Sequence, residues 1–154
     1  MPLQPKPPSR DEAGTTGQQT DLWTAYIDAS ALPNPGRMAL GALITAPDGS
    51  RHRLSQACPG QGCNNEAELR ALMEVLRILR GLHARRLSIF TDSSILVEQL
   101  GPSPHSVRPI ARLAGLFDQA RVLMAGFDEV RLQWIPRHRN TEADALARAA
   151  LAPA

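Results

Sequence analysis

Four carboxylates sit where a chain could gather divalent cations. Asp28 ends the apolar run Leu22-Trp23-Thr24-Ala25-Tyr26-Ile27, and Asp92 ends the run Leu87-Ser88-Ile89-Phe90-Thr91. Both runs read as buried strands, and ligands of open α/β sheets collect at the carboxyl ends of such strands. Two carboxylates emerging there side by side repel unless a cation intervenes. Glu68, just after Asn64-Asn65, and Asp144, just after Arg139-Asn140-Thr141, fall in the opening turns of two helices that can be laid beside the same strand ends. Taken singly, each of these two is explained by the helix macrodipole, which favours acids in a first turn. Glu66 takes that role alone, because it precedes Glu68 by two positions and faces elsewhere. Four acids at four element ends around one sheet edge form a more specific pattern. Oxygen-only ligands suit Mg²⁺. Two such ions about 4 Å apart activate a water and stabilise the leaving oxygen of a phosphodiester, with no covalent protein nucleophile.

The elements that must hold these acids can be read from hydrophobic period and turn residues. Leu22 to Ile27 is the first strand, followed by the turn Leu32-Pro33-Asn34-Pro35-Gly36. Met38–Thr45 is a second strand, Pro47-Asp48-Gly49-Ser50 a hairpin turn, and Arg51–Ala57 a third, outer strand. The period then becomes helical through Ala67, Leu72, Val75, Leu76 and Leu79, and Gly81 closes that helix. Leu87–Thr91 follows a crossover helix and should run parallel to the first strand. Ser94–Leu100 predicts a short helix, Val107–Ala125 a longer one with Pro109 in its first turn, Val130–Ile135 a fifth strand, and Thr141–Leu151 a closing helix. The order βββαβααβα predicts an α/β fold, a five-stranded mixed sheet flanked by helices.

The remaining composition narrows the class. The 154 residues suit one domain at 22–154 behind a Pro- and Gly-rich tail at 1–21, which predicts disorder. The 43% apolar content supports a core, and no run approaches the roughly 20 apolar residues of a membrane span. With no secretory segment at the N-terminus, a cytoplasmic protein is expected. Net charge is +2, with Lys6 the sole lysine, so any nucleic acid must be held by a local surface and by bound cations. Cys58 and Cys63 lack a second pair of ligands at zinc spacing and read as reduced thiols. No heptad or exposed apolar stripe stands out, and a monomer is expected.

From Leu22 to Leu151 the sequence resembles the type 1 ribonuclease H family. Four segments carry the resemblance: Tyr26-Ile27-Asp28-Ala29-Ser30 with Asn34-Pro35-Gly36; Asn64-Asn65-Glu66-Ala67-Glu68-Leu69; Thr91-Asp92-Ser93; and Trp134-Ile135-Pro136-Arg137-His138-Arg139-Asn140-Thr141-Glu142-Ala143-Asp144. The resemblance implies a ribonuclease H-like fold and internal cleavage of the RNA strand of an RNA–DNA hybrid, using Mg²⁺ or Mn²⁺. It assigns the metal-binding quartet to Asp28, Glu68, Asp92 and Asp144, with Asp28 touching both ions. His138 matches the family's mobile histidine. A phosphate contact and a solvated loop residue remain open for it as well. Asn34, Asn64, Asn65 and Ser93 are candidates for the minor-groove edges and 2′-hydroxyls of the hybrid, against turn formation and helix capping. Arg137 and Arg139 are candidates for phosphate.

The chain departs from the family pattern at three places. Ala29 follows the first Asp where a glycine is usual, and Cys63 stands where a threonine is common. The segment from Gly101 to Ser106 is too short and too poor in charge for the basic protrusion that some members use to grip the hybrid. Besides hybrid cleavage, two readings of the same fold stay open: a nucleic-acid binding module with little turnover, and a nuclease for other structured nucleic acids.

Overall fold

The structure is a computed structural model that describes residues 21–101 and 110–152. Residues 1–20 of the expected tail, and 102–106 of the segment expected to be too short for a basic protrusion, lie outside the described residues. Element order follows the sequence reading: β1 (Leu22–Leu32), β2 (Gly36–Thr45), β3 (Arg51–Gly62), α1 (Asn64–Gly81), β4 (Arg86–Thr91), α2 (Ser94–Leu100), α3 (Ala114–Ala125), β5 (Glu129–Trp134) and α4 (Thr141–Leu151). The five strands form one mixed sheet in the order β3-β2-β1-β4-β5. β1, β2 and β3 make an antiparallel meander, whereas β4 and β5 add parallel to β1. Among the described residues no helix is long and apolar enough to cross a membrane.

Alternation along the strands assigns the two faces of the sheet. Ala25, Ile27, Ala42, Ile44, Leu87 and Ile89 point to one side. There they meet Leu69, Leu72, Val75, Leu76 and Leu79 of α1, with Leu113, Phe117 and Ala120 from the α3 region. A smaller cluster of Ala29, Ala31, Met38 and Leu40 continues this layer under Ala67 and Ala71. α4 lies on the opposite face, against β1, β2 and β3. It comes so close to Gly41 that a Cβ there would collide with the backbone of Ala143 and Ala147.

The largest departures from the expected boundaries are three. β1 runs on to Leu32 rather than ending at Asp28, because β2 stays paired with it from Thr24↔Thr45 to Leu32↔Arg37. β3 reaches Gly62, past the expected Ala57, since β2 pairs along its whole length after a register shift at Arg37/Met38. The helix expected from Val107 begins as a 3-10 turn at Ala111–Leu113 and becomes α-helical only at Ala114. Residues 107–109, including Pro109, lie outside the described residues.

Candidate metal centre

β1 and β4 part company at the point where the acids gather. Their parallel pairing ends at Ile27↔Thr91, and Asp28 and Asp92 are the next residue on each strand. Asp28 is therefore not at a strand end, as the sequence suggested. It sits mid-strand, where the neighbour on one side stops and β2 on the other side continues. Beyond this point the edge of β1 that faces away from β2 needs new partners, because buried backbone N–H groups must be satisfied.

The first residues of α1 supply them. The Ala31 N–H donates to Asn64 Oδ1 at 2.8 Å, and the Ala29 N–H bonds to the carboxyl groups of Glu68 and Asp28. The spacing explains the fit. Asn64 and Glu68 are one helical turn apart, about 6 Å, and Ala29 and Ala31 are two strand residues apart, about 6.6 Å. Asn34 Oδ1 accepts from the Asn64 N–H at 3.0 Å, tying the β1–β2 turn to the same helix start. Cys63 caps α1, its Sγ accepting from the Glu66 N–H at 3.4 Å and from Arg112 at 3.1 Å. Both cysteines are free thiols.

These constraints bring Glu68 to Asp28 through the gap between the strands. One ligand oxygen from each of Asp28, Glu68 and Asp92 lies within 4.8 Å of the others. Glu68 is at the start of the second turn of α1 rather than in its opening turn, where Glu66 stands. Glu66 accepts from Arg70 at 2.8 Å and takes no part in the cluster. Burial, then the charges of Asp92 and Asp144, push the Asp28 carboxyl up to about 7 against the Ala29 N–H bond. Burial, followed by the charges of Asp28 and Asp92, raises Glu68 well above the ordinary glutamate value.

Asp144 reaches the same centre from α4. Gly41 is the Cα partner of Asp28, and α4 seats on that glycine. Asp144 shares a side-chain hydrogen bond with Asp28. It is also paired through both oxygens with Arg148, at 3.3 Å to Nε and 3.0 Å to Nη2. The structure thus brings three acids into one ligand set and places the fourth against Asp28, braced by an arginine.

The other expected site residues surround this centre unevenly. Asn34 and Asn64 are exposed, and their side-chain oxygens hold the local structure as described. Asn65 is half-buried on α1. Ser93 is buried and caps α2, its hydroxyl accepting from the Leu96 N–H at 3.2 Å. Arg137, His138 and Arg139 are exposed on a 3-10 turn between β5 and α4. Asn140, which ends that turn, was missed by reasoning from the sequence. It is 1% exposed and donates to Ile27 O at 2.7 Å and to Asp92 Oδ2 at 3.2 Å. In the sequence it stood only as a residue of the segment before Asp144, and no periodic signal marks an inward-facing cap. The Trp134 indole also donates to the Asp92 carbonyl, at 3.3 Å.

Residues 27–150 match the family described as reverse transcriptase-like. A bifunctional protein of Mycobacterium tuberculosis is 34% identical over 125 residues, 80% of this chain and 34% of that protein. The chain thus spans about a third of the length of that curated relative. The crystal structure of RNase H1 from the halophilic archaeon Halobacterium salinarum is similar at a TM-score of 0.77 and 30% identity, covering 84% of this chain and 97% of that one. LC11-RNase H1 in complex with an RNA/DNA hybrid is similar at a TM-score of 0.72 and 26% identity, covering 83% and 95%.

Proposed function

The chain belongs to the type 1 ribonuclease H family, and from that premise we propose that it is a metal-dependent endonuclease that hydrolyses the RNA strand of RNA–DNA hybrids. The observation that carries this reading is the convergence of Asp28, Glu68 and Asp92 from three separate elements into one set of oxygens. The donor set fits a hard divalent cation such as Mg²⁺ or Mn²⁺: it is all oxygen, and its crowding and burial push the Asp28 carboxyl up to about 7. Two ions bound there would supply an activated water and neutralise the leaving oxygen.

The chain's own groups orient the reactants. Asp28, with Glu68, Asp92 and Asp144 beside it, would be the central carboxylate holding the cations. Glu68, Asp92 and Asp144 would complete the oxygen ligands around it. Asn34, Asn64 and Asn65 would offer their amide groups to minor-groove edges and 2′-hydroxyls from the rim, with Ser93 beside Asp92. Arg137 and Arg139 would meet phosphate. His138, exposed between them, would carry protons to or from the leaving product.

The test is cleavage of labelled RNA–DNA hybrid, double-stranded RNA and double-stranded DNA in Mg²⁺, Mn²⁺ or EDTA. Hybrid cleavage that stops in EDTA and in Asp92→Asn supports the reading. Tight hybrid binding with no cleavage in either metal sinks it in favour of a binding module.

A further inference from the structure

We propose that Asn140 is a positioning residue that holds the metal-binding carboxylate of Asp92 in place; the inference rests on the metal-dependent reading above. Asn140 occupies the N-cap position of α4, where an asparagine ordinarily turns its side-chain oxygen onto an N–H of the first helical turn. Here it makes no such bond. The side chain is folded inward instead, and its amide nitrogen bridges Ile27 O and Asp92 Oδ2. The orientation of the amide is set by chemistry, because a backbone carbonyl only accepts and the nitrogen must face it. The consequence is that Asn140 Oδ1 is buried without a hydrogen-bond partner among the described residues.

A buried carbonyl left unpaired, beside a helix end left uncapped by this side chain, is unfavourable twice over. Such breaks of a local rule concentrate where a site requires them. What the arrangement provides is specific. Ile27 is the last residue of β1 paired with β4, so one amide group ties the ends of both strands at the point where they separate. One hydrogen anchors on the backbone just before Asp28, and the other restrains the Asp92 carboxylate. A residue that served only as a cap needs an acceptor; this position needs two donors, which serine or aspartate would not supply.

The experiment compares the full chain with Asn140→Asp and Asn140→Ser, with Asn140→Ala as a third variant. Mn²⁺ binding is measured calorimetrically without nucleic acid. The Mg²⁺ midpoint of hybrid cleavage, kcat and KM, and the melting temperature are measured alongside. Asn140→Asp keeps the shape and replaces the donor by an acceptor, so it carries the test if the alanine variant fails to fold. We expect Mn²⁺ affinity to fall and the Mg²⁺ midpoint to rise, each by about 10- to 100-fold, as for other partners of metal ligands. KM for the hybrid should stay unchanged at saturating metal. A folded Asn140→Asp that binds Mn²⁺ like the wild type overturns the inference, even if its melting temperature drops. A wild-type chain that takes up no Mn²⁺ overturns the metal-dependent reading itself.

Discussion

At one end of the strip formed by β1, β4 and β5, Arg86 lies between Asp21 and Glu129, at 3.0 and 2.9 Å. At the other end of the same strands, Asp28, Glu68 and Asp92 face one another, and among the described residues none of the three forms a salt bridge. Both ends collect acids from neighbouring strands. The first is neutralised by a side chain and stays near solvent, where the Glu129 carboxyl is held below its usual range by Arg86. The second is enclosed by α1, and burial pushes its Asp28 and Glu68 carboxyls up rather than down. A paired cluster finishes a sheet edge; an unpaired, enclosed one keeps an unmet demand for positive charge that a cation can fill.

The sharpest way to break this contrast is Asp28→Asn. It should abolish hybrid cleavage, a loss beyond the roughly 100-fold expected for a partner of a ligand, while the metal-free protein melts no earlier than the wild type because a crowded carboxyl is gone. A cleavage assay paired with a melting curve decides it. An active variant would mean the enclosed acids are not the site. In the adjoining core, Leu72→Ala should lose about 2–5 kcal/mol of stability through the cavity left under α1. The check is denaturant unfolding with and without Mg²⁺, and the deficit should persist in both. Gly41→Ala tests how α4 reaches the site. Overpacking against Ala143 and Ala147 should cost about 1–3 kcal/mol, and cleavage should fall further than in Leu72→Ala because Asp144 moves away from Asp28.

The pH response is a smaller effect with a defined sign. The folded-state value of Asp28 lies near 7, against 3.8 for an ordinary aspartate. Between those values the metal-free folded state holds a proton that the unfolded chain has released, so its stability falls as pH rises through that window. Bound cation displaces that proton, so the melting shift produced by Mg²⁺ should grow from pH 5 to pH 7.5. A shift that stays flat across the window would show that Asp28 is already ionised. At the opposite end of the strip, Arg86→Met should lower the melting temperature modestly and leave cleavage and its Mg²⁺ dependence unchanged.

Much of the fold was legible because period and punctuation agree. The apolar runs at Leu22–Ile27 and Leu87–Thr91 lie within β1 and β4, and Thr141–Leu151 is the observed α4. The turn chemistry of Pro47-Asp48-Gly49-Ser50 separates β2 from β3, with Gly49 at positive φ. Boundaries fared worse where pairing rather than composition decides them. Ala29, Ser30 and Ala31 carry weak strand signals, yet β2 holds them in β1. The start of α3 lies beside residues the structure does not describe.

For the site, residue type and approximate element position made Asp28, Glu68, Asp92 and Asp144 candidates, and the family resemblance grouped them. Glu66 was set aside because an acid two positions away on a helix faces elsewhere. The positions themselves were less exact, since Asp28 lies mid-strand and Glu68 in the second turn of α1. Convergence was decided in three dimensions. The parting of β1 from β4 opens the gap, the match between one helical turn and two strand residues docks α1 along it, and the bare surface of Gly41 admits α4. The inward turn of Asn140 also belongs to the tertiary structure alone. Each depends on which groups lack partners once the strands separate, and a linear sequence does not show where pairing stops.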